Sequence, residues 1–391
     1  ELIERHGWTA DREHARGELI ALRRGEASIT LEPGGQLELS GAPVETIHQT
    51  SAELRGHLTE LRGISDELGI AWLGLGYHPT ATQEELPWIP KLRYGVMREY
   101  LPTRGTRGLD MMRRTATVQA NLDYASEEDA MRKLRVTLAI SPVIGAAFAN
   151  SPFAEGRKSA LASERAQVWT DVDPERTGLL PFAWRDRSGY RDYVEWALDA
   201  PMFLVKRGDK LVRNTGQTFR SFMADGFGGA RATHGDWTTH LNTLFPDVRL
   251  KRTIELRAAD GQPSSTLCAL PALSRGLLYD ATALGALEAM LSSLRYEDVH
   301  QARSRVPQEG LRASMAGRPL LEWARELVRL ASEGLRRLAR LDRRGRDESI
   351  HLEALAALLE KGQSPGDALR ESVDADRPLF AQLLDSEHAR L

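Results

Sequence analysis

Three segments of the 391-residue chain alternate polar and apolar side chains with the period of a β-strand. They are residues 29–40, 115–124 and 249–257. Because successive side chains of a strand point to opposite faces, each segment packs with one face and leaves the other as a row of polar groups. All three segments are therefore predicted to be strands with one polar face.

The polar faces of these strands combine acids, amides and bases. A solvated face is the simpler explanation of any one of them, because antiparallel sheets commonly turn one polar face to water. Taken together, they contain acids that can hold a hard cation and bases that can hold phosphate or carboxylate, which predicts a charged cavity. The polar positions are Glu32, Glu38, Ser40, Thr115, Thr117, Gln119, Asn121, Asp123, Arg249, Lys251, Thr253, Glu255 and Arg257.

Glutamates flank the Pro-Gly-Gly turn at residues 33–35. Magnesium takes oxygen ligands and keeps some positions for water or phosphate, so Glu32 and Glu38 with Glu255 as a third carboxylate suffice to hold it. The alternative is that each glutamate is an exposed strand acid. Arg257 would neutralise a metal-bound phosphate, or would simply form a cross-strand ion pair.

Composition disfavours several classes of protein. With a net charge of −3, no apolar run of membrane-spanning length and no secretory signal, the chain is expected to bind neither nucleic acid nor membrane and to be cytoplasmic. A nucleic-acid site at Arg249, Lys251 and Arg252 is disfavoured by the acid interleaved with them. The single cysteine, Cys268, excludes an internal disulfide framework and a cysteine-based metal site. P-loop, Rossmann and nucleophile-elbow motifs are absent from the sequence.

Turn and helix signals divide the chain into short elements. A hairpin is predicted over 18–29, turning near residues 24–25, and Ser126 with Asp129 predicts the start of a long helix that Pro142 should kink or end. Further predictions are helices at 45–69, 91–100, 190–199 and 236–244 and a strand at 71–76.

Beyond about residue 300 the chain becomes rich in Arg and Leu and is predicted to be a helical layer, 300–391, packed on the same sheet. The order of strand-rich and helix-rich stretches predicts an α+β fold with a mostly antiparallel sheet, and 1–391 is expected to be a single domain. The apolar stripe of this layer comprises Leu320, Trp323, Leu327, Leu330, Leu335, Leu338 and Leu341.

Several long motifs resemble the glutamate–cysteine ligase family of the plant and proteobacterial type. The resemblance implies a glutamine synthetase-like fold, a curved antiparallel sheet forming a funnel with helices outside. It also implies ATP-dependent ligation of the γ-carboxylate of glutamate to the amino group of cysteine through a γ-glutamyl phosphate, with Mg²⁺ bound. The motifs are residues 28–43, 110–123, 150–153, 168–171 and 255–261.

The same resemblance implies roles for individual residues. Glu32, Glu38 and Glu255 would hold metal, and Arg257 would face phosphate. The others are assigned by position to the substrate and metal region (Gln119 and Asn121), to glutamate (Arg93, Arg165 and Trp169), to the cysteine substrate (Phe203), and to substrate binding on the strand (Thr117).

Two departures from the family pattern leave alternatives open. No counterpart of the family's first strand, with its Gly-x-Glu-x-Glu pattern, is found upstream of Glu18. Either the given sequence is truncated or the protein has lost these ligands, and their loss would impair metal chemistry. Ser51 stands where plant relatives have a cysteine able to pair with the counterpart of Cys268, so that redox bridge cannot form. The alternatives are ligation of glutamate to another amine and a non-catalytic glutamate- or nucleotide-binding homologue. A monomer or homodimer is expected.

Overall fold

The computed structural model describes residues 1–12, 17–208 and 210–391. The α-helices of these ranges are α1 Leu2–His6, α2 Ile47–Leu68, α3 Leu92–Tyr100, α4 Gly108–Arg114, α5 Glu127–Ala147, α6 Glu164–Val168, α7 Tyr190–Asp199, α8 Phe219–Asp225, α9 His234–Leu241, α10 Ala269–Leu278, α11 Ala281–Leu291, α12 Tyr296–Glu309, α13 Leu320–Leu338, α14 Glu353–Glu360, α15 Pro365–Ser372 and α16 Leu379–Asp385. The β-strands are β1 Thr9–Arg12, β2 Leu19–Arg24, β3 Ala27–Leu31, β4 Leu37–Ser40, β5 Ala120–Leu122, β6 Phe153–Ala154, β7 Arg157–Lys158, β8 Thr177–Gly178, β9 Leu204–Arg207, β10 Lys210–Arg213, β11 Phe245–Pro246, β12 Val248–Leu250, β13 Ile254–Leu256, β14 Ser314–Met315 and β15 Arg318–Pro319.

The strands form several small sheets. The largest is antiparallel with the order β1-β2-β3-β4, and a three-stranded antiparallel sheet has the order β12-β13-β5. The remaining sheets have two strands each, and β8 with β11 is a parallel pair. This mixture of helices and small, mostly antiparallel sheets agrees with the α+β prediction, whereas the funnel stays a prediction.

The two hairpins predicted from the sequence, β2–β3 and β3–β4, are both found in the first sheet. β2 and β3 are joined by a tight turn at Gly25, whose φ is +59°. The next turn is closed by hydrogen bonds from the Glu32 N–H to the Gln36 carbonyl and from the Gly35 N–H to the Glu32 carbonyl, each 2.8 Å. Gly34 has no room for a side chain, because a Cβ there would collide with the Arg113 backbone.

The other two segments of alternating polarity differ from the single strands that were predicted. Only β5 is regular within 115–124. Residues 249–257 form the β12–β13 hairpin, because the Lys251 N–H donates to the Thr253 carbonyl at 2.9 Å and reverses the chain. The strand expected at 71–76 is not formed, since its backbone bonds to scattered partners such as the carbonyl of Ala389.

The predicted helices α2, α3, α7 and α9 are present within a few residues of the expected ends. The long helix α5 begins at the Ser126 cap but continues through Pro142, where a kink or an end was expected. Pro142 has no N–H to donate to the Leu138 carbonyl, and the Ser141 hydroxyl donates to that carbonyl instead, at 3.0 Å.

The main hydrophobic core lies between the three-stranded sheet and the helices. α5 and α10 contact this sheet, and α13 packs against both helices. The predicted apolar stripe of the C-terminal layer is buried from Leu320 to Leu335. Leu341 is 61% exposed, because α13 ends at Leu338 and its cap residue Ala339 adopts a left-handed conformation with φ of +51°. No helix in the described ranges combines the length and apolar character needed to span a membrane.

Candidate active site

The three-stranded sheet aligns polar side chains from all three strands in one row. Arg249 of β12 is the cross-strand partner of Glu255 of β13, which is in turn the partner of Asn121 of β5. Their neighbours along each strand, such as Leu250 and Leu122, belong to the main core. Because the apolar residues point to the core, the row occupies the opposite face of the sheet.

Glu255 lies at the centre of this row, and both of its carboxylate oxygens accept hydrogen bonds. Arg249 holds it with two bonds, Nε to Oε2 at 2.7 Å and Nη2 to Oε1 at 2.9 Å. Arg257 Nη1 donates to Oε1 at 2.6 Å. With the Gln119 amide turned to satisfy both neighbours, its nitrogen donates to Glu255 Oε1 at 2.5 Å and its oxygen accepts from Arg257 at 3.2 Å.

The charge state of Glu255 follows from these contacts. Glu255 is only 3% exposed, and burial by itself would raise the pKa of its carboxyl group. Arg257 and Arg249 outweigh burial and lower the pKa below its ordinary value. Glu255 is therefore an anion that holds two guanidinium groups, and its oxygens have little capacity left for a metal ion.

The other two predicted metal ligands, Glu32 and Glu38, lie at the β3–β4 turn and on β4. Burial and the neighbouring Glu38 raise the pKa of Glu32, whereas Arg93, Lys91 and the Tyr94 hydroxyl act in the opposite direction. Mutual repulsion between two carboxylates is what a bound cation would relieve. This pair has the chemistry of a partial cation site.

The three glutamates are not brought together as the sequence predicted. In residues 1–12, 17–208 and 210–391, no group of three His, Cys, Asp or Glu side chains is placed to hold a metal ion. Of the three predicted glutamates, Glu32 and Glu38 remain as a pair with oxygens that suit magnesium, because the arginines use Glu255. Sequence periodicity placed all three on polar faces, but it did not reveal the arginine that faces Glu255 across the hairpin.

The β3–β4 turn docks on the segment that leads into β5. Gln36 Nε2 donates to the carbonyls of Thr115 at 3.0 Å and Met112 at 3.3 Å. Further along this segment, the Thr117 hydroxyl donates to the Ala259 carbonyl at 2.6 Å. Thr117 was expected to bind substrate. In the structure its hydroxyl donates a hydrogen bond to the segment that follows β13 instead.

A pocket lies beside the row, with Arg257 shared between the two. The Arg257 guanidinium carbon is 5.9 Å from the ring centre of Trp169 and 5.8 Å from that of Phe245, and these two rings contact edge to face. Trp169 was predicted from the sequence, whereas Phe245 was not. The pocket is lined by Ser141, Pro142, Gly145, Arg165, Ala166, Trp169, Thr170, Phe245, Pro246, Asp247, Arg257, Ala258, Arg303 and Val306.

Arg165 is the most deeply buried cation of the pocket, and burial lowers its pKa to about 10. Its terminal nitrogens donate to the carbonyls of Arg257 at 2.7 Å and Ala258 at 3.2 Å. Within the described part of the chain, neither Nε of Arg165 nor Nε1 of Trp169 has a hydrogen-bond partner, although both atoms are buried. Two such donors in one pocket suit an oxygen acceptor such as a carboxylate.

Asp260 anchors Arg165, whose Nη1 is 3.7 Å from the carboxylate. The hydroxyls of Ser151 and Ser163 donate to Asp260 at 2.6 and 3.0 Å, and the Asn150 N–H donates at 2.8 Å. This network ties the sequence motif at 150–153 to the motif at 255–261, so both serve to position the arginines.

Sequence reasoning missed two charged residues of the pocket. Arg303 of α12 grips Asp247 with two bonds, from Nε at 2.7 Å and from Nη2 at 2.9 Å. Arg303 also donates to the Trp169 carbonyl at 3.3 Å. Neither residue belongs to a strand face of alternating polarity, so the signal that found Glu255 and Arg257 could not find them.

The family model of glutamate–cysteine ligase family 2 matches residues 4–386. The chain belongs to this family. A chloroplastic glutamate–cysteine ligase of Arabidopsis thaliana is 44% identical over 374 residues, covering 94% of this chain and 70% of the relative. Glutamate–cysteine ligase B, chloroplastic, of Oryza sativa subsp. japonica is 43% identical over 394 aligned positions, covering 98% of this chain and 77% of the relative. The resemblance found in the sequence motifs is confirmed.

Phe203 and Arg93, both assigned to substrates from the family resemblance, are among the assigned residues that do not line the pocket. Phe203 is 2% exposed and packs between Tyr100 and the guanidinium of Arg176, 4.0 Å from its ring centre. Arg93 is exposed on α3 beside Tyr94, on the side of Glu32. The family's predicted glutamate-binding set is therefore divided between the pocket and the β3–β4 turn.

Proposed function

We propose that this protein is an ATP-dependent ligase that joins the γ-carboxylate of glutamate to the amino group of cysteine. Membership of glutamate–cysteine ligase family 2 and the names of the relatives support this reaction. The observation that carries it is the position of Arg257. Glu255 fixes this guanidinium, and Arg257 lines the pocket together with Arg165 and Trp169.

The proposed chemistry has two displacements. The γ-carboxylate of glutamate attacks the γ-phosphorus of ATP, which forms γ-glutamyl phosphate and releases ADP. The cysteine amine then attacks the acyl carbon, loses a proton, and phosphate leaves. A fixed guanidinium stabilises the charge that develops on phosphoryl oxygens, and Arg257 is the residue held in place for this task.

We infer that Glu32 and Glu38 would hold a magnesium ion if the enzyme uses one. A bound magnesium ion would neutralise phosphate charge and orient the nucleotide's tail. The raised pKa of Glu32 beside Glu38 supports this assignment, since a cation would favour the ionised form of both. Glu255 is left out of this inferred set because its oxygens are used by arginines.

The test is product formation by the purified chain with glutamate, ATP and magnesium against a panel of amines. We expect γ-glutamylcysteine, identified by mass, to accumulate with cysteine and not with the other amines. A different amine giving the faster product would assign the protein to another γ-glutamyl ligation. Calorimetric binding of glutamate or ATP without any turnover would assign it to the non-catalytic alternative.

Several finer expectations accompany the proposal. We propose that residues 1–391 form a single catalytic domain with the funnel fold, that the protein is cytoplasmic, and that it is a monomer or homodimer. The relatives' names give a chloroplastic location for those proteins. Size-exclusion chromatography with light scattering would measure the oligomeric state directly.

A further inference from the structure

An ion pair between Arg303 and Asp247 lines the pocket and is not used by the proposed reaction. Arg303 Nε donates to one oxygen of the Asp247 carboxylate at 2.7 Å, and Nη2 donates to the other at 2.9 Å. Only 18% of the Arg303 side chain and 13% of the Asp247 side chain are exposed. A planar guanidinium held by two parallel bonds has one fixed orientation, so this pair is a rigid point in the pocket wall.

Each partner of the ion pair is also bonded to a residue of the proposed site. Arg303 donates through Nη2 to the Trp169 carbonyl at 3.3 Å. The Asp247 carbonyl accepts from the Arg257 N–H at 3.1 Å. The ion pair therefore joins the backbone of Trp169, which the family resemblance assigns to glutamate, to the backbone of Arg257, which it assigns to phosphate.

Both ends of the ion pair are attached to regular elements. Arg303 is on α12, and the Ser163 N–H at the cap of α6 donates to the Pro307 carbonyl of the same helix at 3.2 Å. Asp247 lies between β11 and β12, and its N–H donates to the Gly178 carbonyl of β8 at 2.9 Å. Breaking the ion pair would remove a direct link between the α6–α12 side of the pocket and the β11–β12 corner.

We propose that Arg303 and Asp247 are positioning residues that fix Trp169 and Arg257 relative to one another. This inference rests on the proposed function for the identity of what is bound, but not for the geometry of the pocket. Group transfer requires reacting atoms about 3–3.5 Å apart, and a misplacement of about 1 Å can cost about 100-fold in rate. An ion pair that fixes the separation of two substrate-binding residues contributes to the rate without touching either substrate.

Calorimetric titration of glutamate compares variants that break the ion pair. Arg303→Lys keeps the charge but loses the two-bond grip, and Asp247→Asn keeps the shape but replaces one acceptor oxygen with an amide nitrogen. Each should bind glutamate about tenfold more weakly. The double variant should bind about as weakly as either one, because both changes break the same link. Affinity that is unchanged in both single variants, or is lost in Arg303→Lys alone as for a direct ligand contact, would overturn the proposal.

Arg275→Lys is the matched control. Arg275 pairs with Glu348 at 2.9 Å, its side chain is 13% exposed, and neither residue lines the pocket. This variant should show a fall in melting temperature comparable to that of Arg303→Lys and bind glutamate as the unchanged chain does. An equal loss of glutamate affinity in Arg275→Lys would mean that the effect is a general loosening of the fold, and the proposal would be overturned.

The indole signal of Trp169 provides a readout that needs no substrate. In ¹⁵N–¹H NMR spectra of the ligand-free chain, the Trp169 Nε1 signal is the one lost in Trp169→Phe. We expect it to shift in Arg303→Lys and in Asp247→Asn and to keep its position in Arg275→Lys. A Trp169 signal that does not move when the ion pair is broken would contradict the positioning role.

Kinetics separate this inference from the proposed function. If the ligase reaction occurs, Arg303→Lys should raise the KM for glutamate about tenfold and also lower kcat, whereas Arg275→Lys should change neither. Kinetic constants that Arg303→Lys leaves unchanged would overturn the positioning role and leave the ligase standing. A shifted Trp169 signal in variants of a chain that makes no γ-glutamylcysteine would support the positioning role and count against the ligase.

Discussion

At the scale of single residues, the contacts of Glu255 are made with arginines, since Arg249 and Arg257 both donate to its carboxylate. Alternation placed Glu255 and Arg257 on one polar face, and their contact at 2.6 Å agrees with that. The magnesium role expected for Glu255 depended on neighbours that alternation does not specify. Once the hairpin is formed, Arg249 is directly opposite, and a bidentate arginine competes with any cation for the same oxygens.

Substituting Glu255 and Glu38 separately distinguishes an arginine-holding acid from a metal ligand. Glu255→Gln should lower the free energy of unfolding by about 3–5 kcal/mol, because it leaves buried guanidinium groups without their anion. It should lower kcat without changing the magnesium concentration that gives half-maximal rate. Glu38→Gln, on an exposed strand position, should raise that concentration instead. A shift in magnesium dependence for Glu255→Gln alone would contradict the assignment.

The raised pKa of Glu32 predicts a pH-dependent gain of stability on its removal. A carboxyl whose pKa is raised by folding costs stability when it ionises, so the penalty is absent below its ordinary pKa of about 4.3 and grows as the pH rises above that value. In magnesium-free buffer, Glu32→Gln should melt at a higher temperature than the unchanged chain at pH 7 and at the same temperature near pH 4. Glu26→Gln, an exposed position of the same sheet, should show no such trend.

At the scale of elements, helices were predictable because their apolar stripes and caps are local. The strands were less predictable, because hydrogen bonds between residues distant in the sequence determine where each strand begins and ends. Pro142 was expected to kink or end its helix; α5 does not end there, and the Ser141 hydroxyl donates to the carbonyl that proline leaves free. That compensation depends on one side chain next to the proline and is testable.

Ser141→Ala should lower the free energy of unfolding by about 1–3 kcal/mol, because it leaves the buried Leu138 carbonyl without a donor. The midpoint of urea denaturation, with an unchanged slope, would report this loss. Ser304→Ala removes a similar bond, to the Gln301 carbonyl at 2.8 Å, from an exposed position of α12. It should change stability by less than about 0.5 kcal/mol. Equal effects of the two substitutions would refute the compensation.

Two leucines of the predicted C-terminal stripe should lose very different amounts of stability when each is replaced by alanine. Leu327 is 1% exposed within α13, and Leu327→Ala should cost about 2–5 kcal/mol of stability. Leu341 lies beyond the end of α13, and Leu341→Ala should cost less than about 0.5 kcal/mol. Thermal denaturation of both variants measures the difference. Similar losses would mean that the stripe packs past Ala339.

At the scale of the whole molecule, the pocket could not be predicted from local patterns. Its walls come from α5, α6, α12 and the segments around β11 and β13, which are far apart in the sequence. The family resemblance located Trp169 and Arg257 within the motifs 168–171 and 255–261, and it assigned Arg165 by its position just before the first of these. Arg303 and Asp247 lie outside them, and only the folded chain brings their ion pair beside Arg257.

Glutamate labelled with ¹⁸O in its γ-carboxylate tests the proposed reaction most directly. In γ-glutamyl phosphate, one carboxylate oxygen becomes the bridge to phosphorus and leaves with phosphate when the amine attacks. The chain incubated with this glutamate, cysteine, ATP and magnesium should release phosphate that carries one ¹⁸O atom, as seen by mass spectrometry. Release of unlabelled phosphate, or release at the same rate without glutamate, would contradict the proposed reaction.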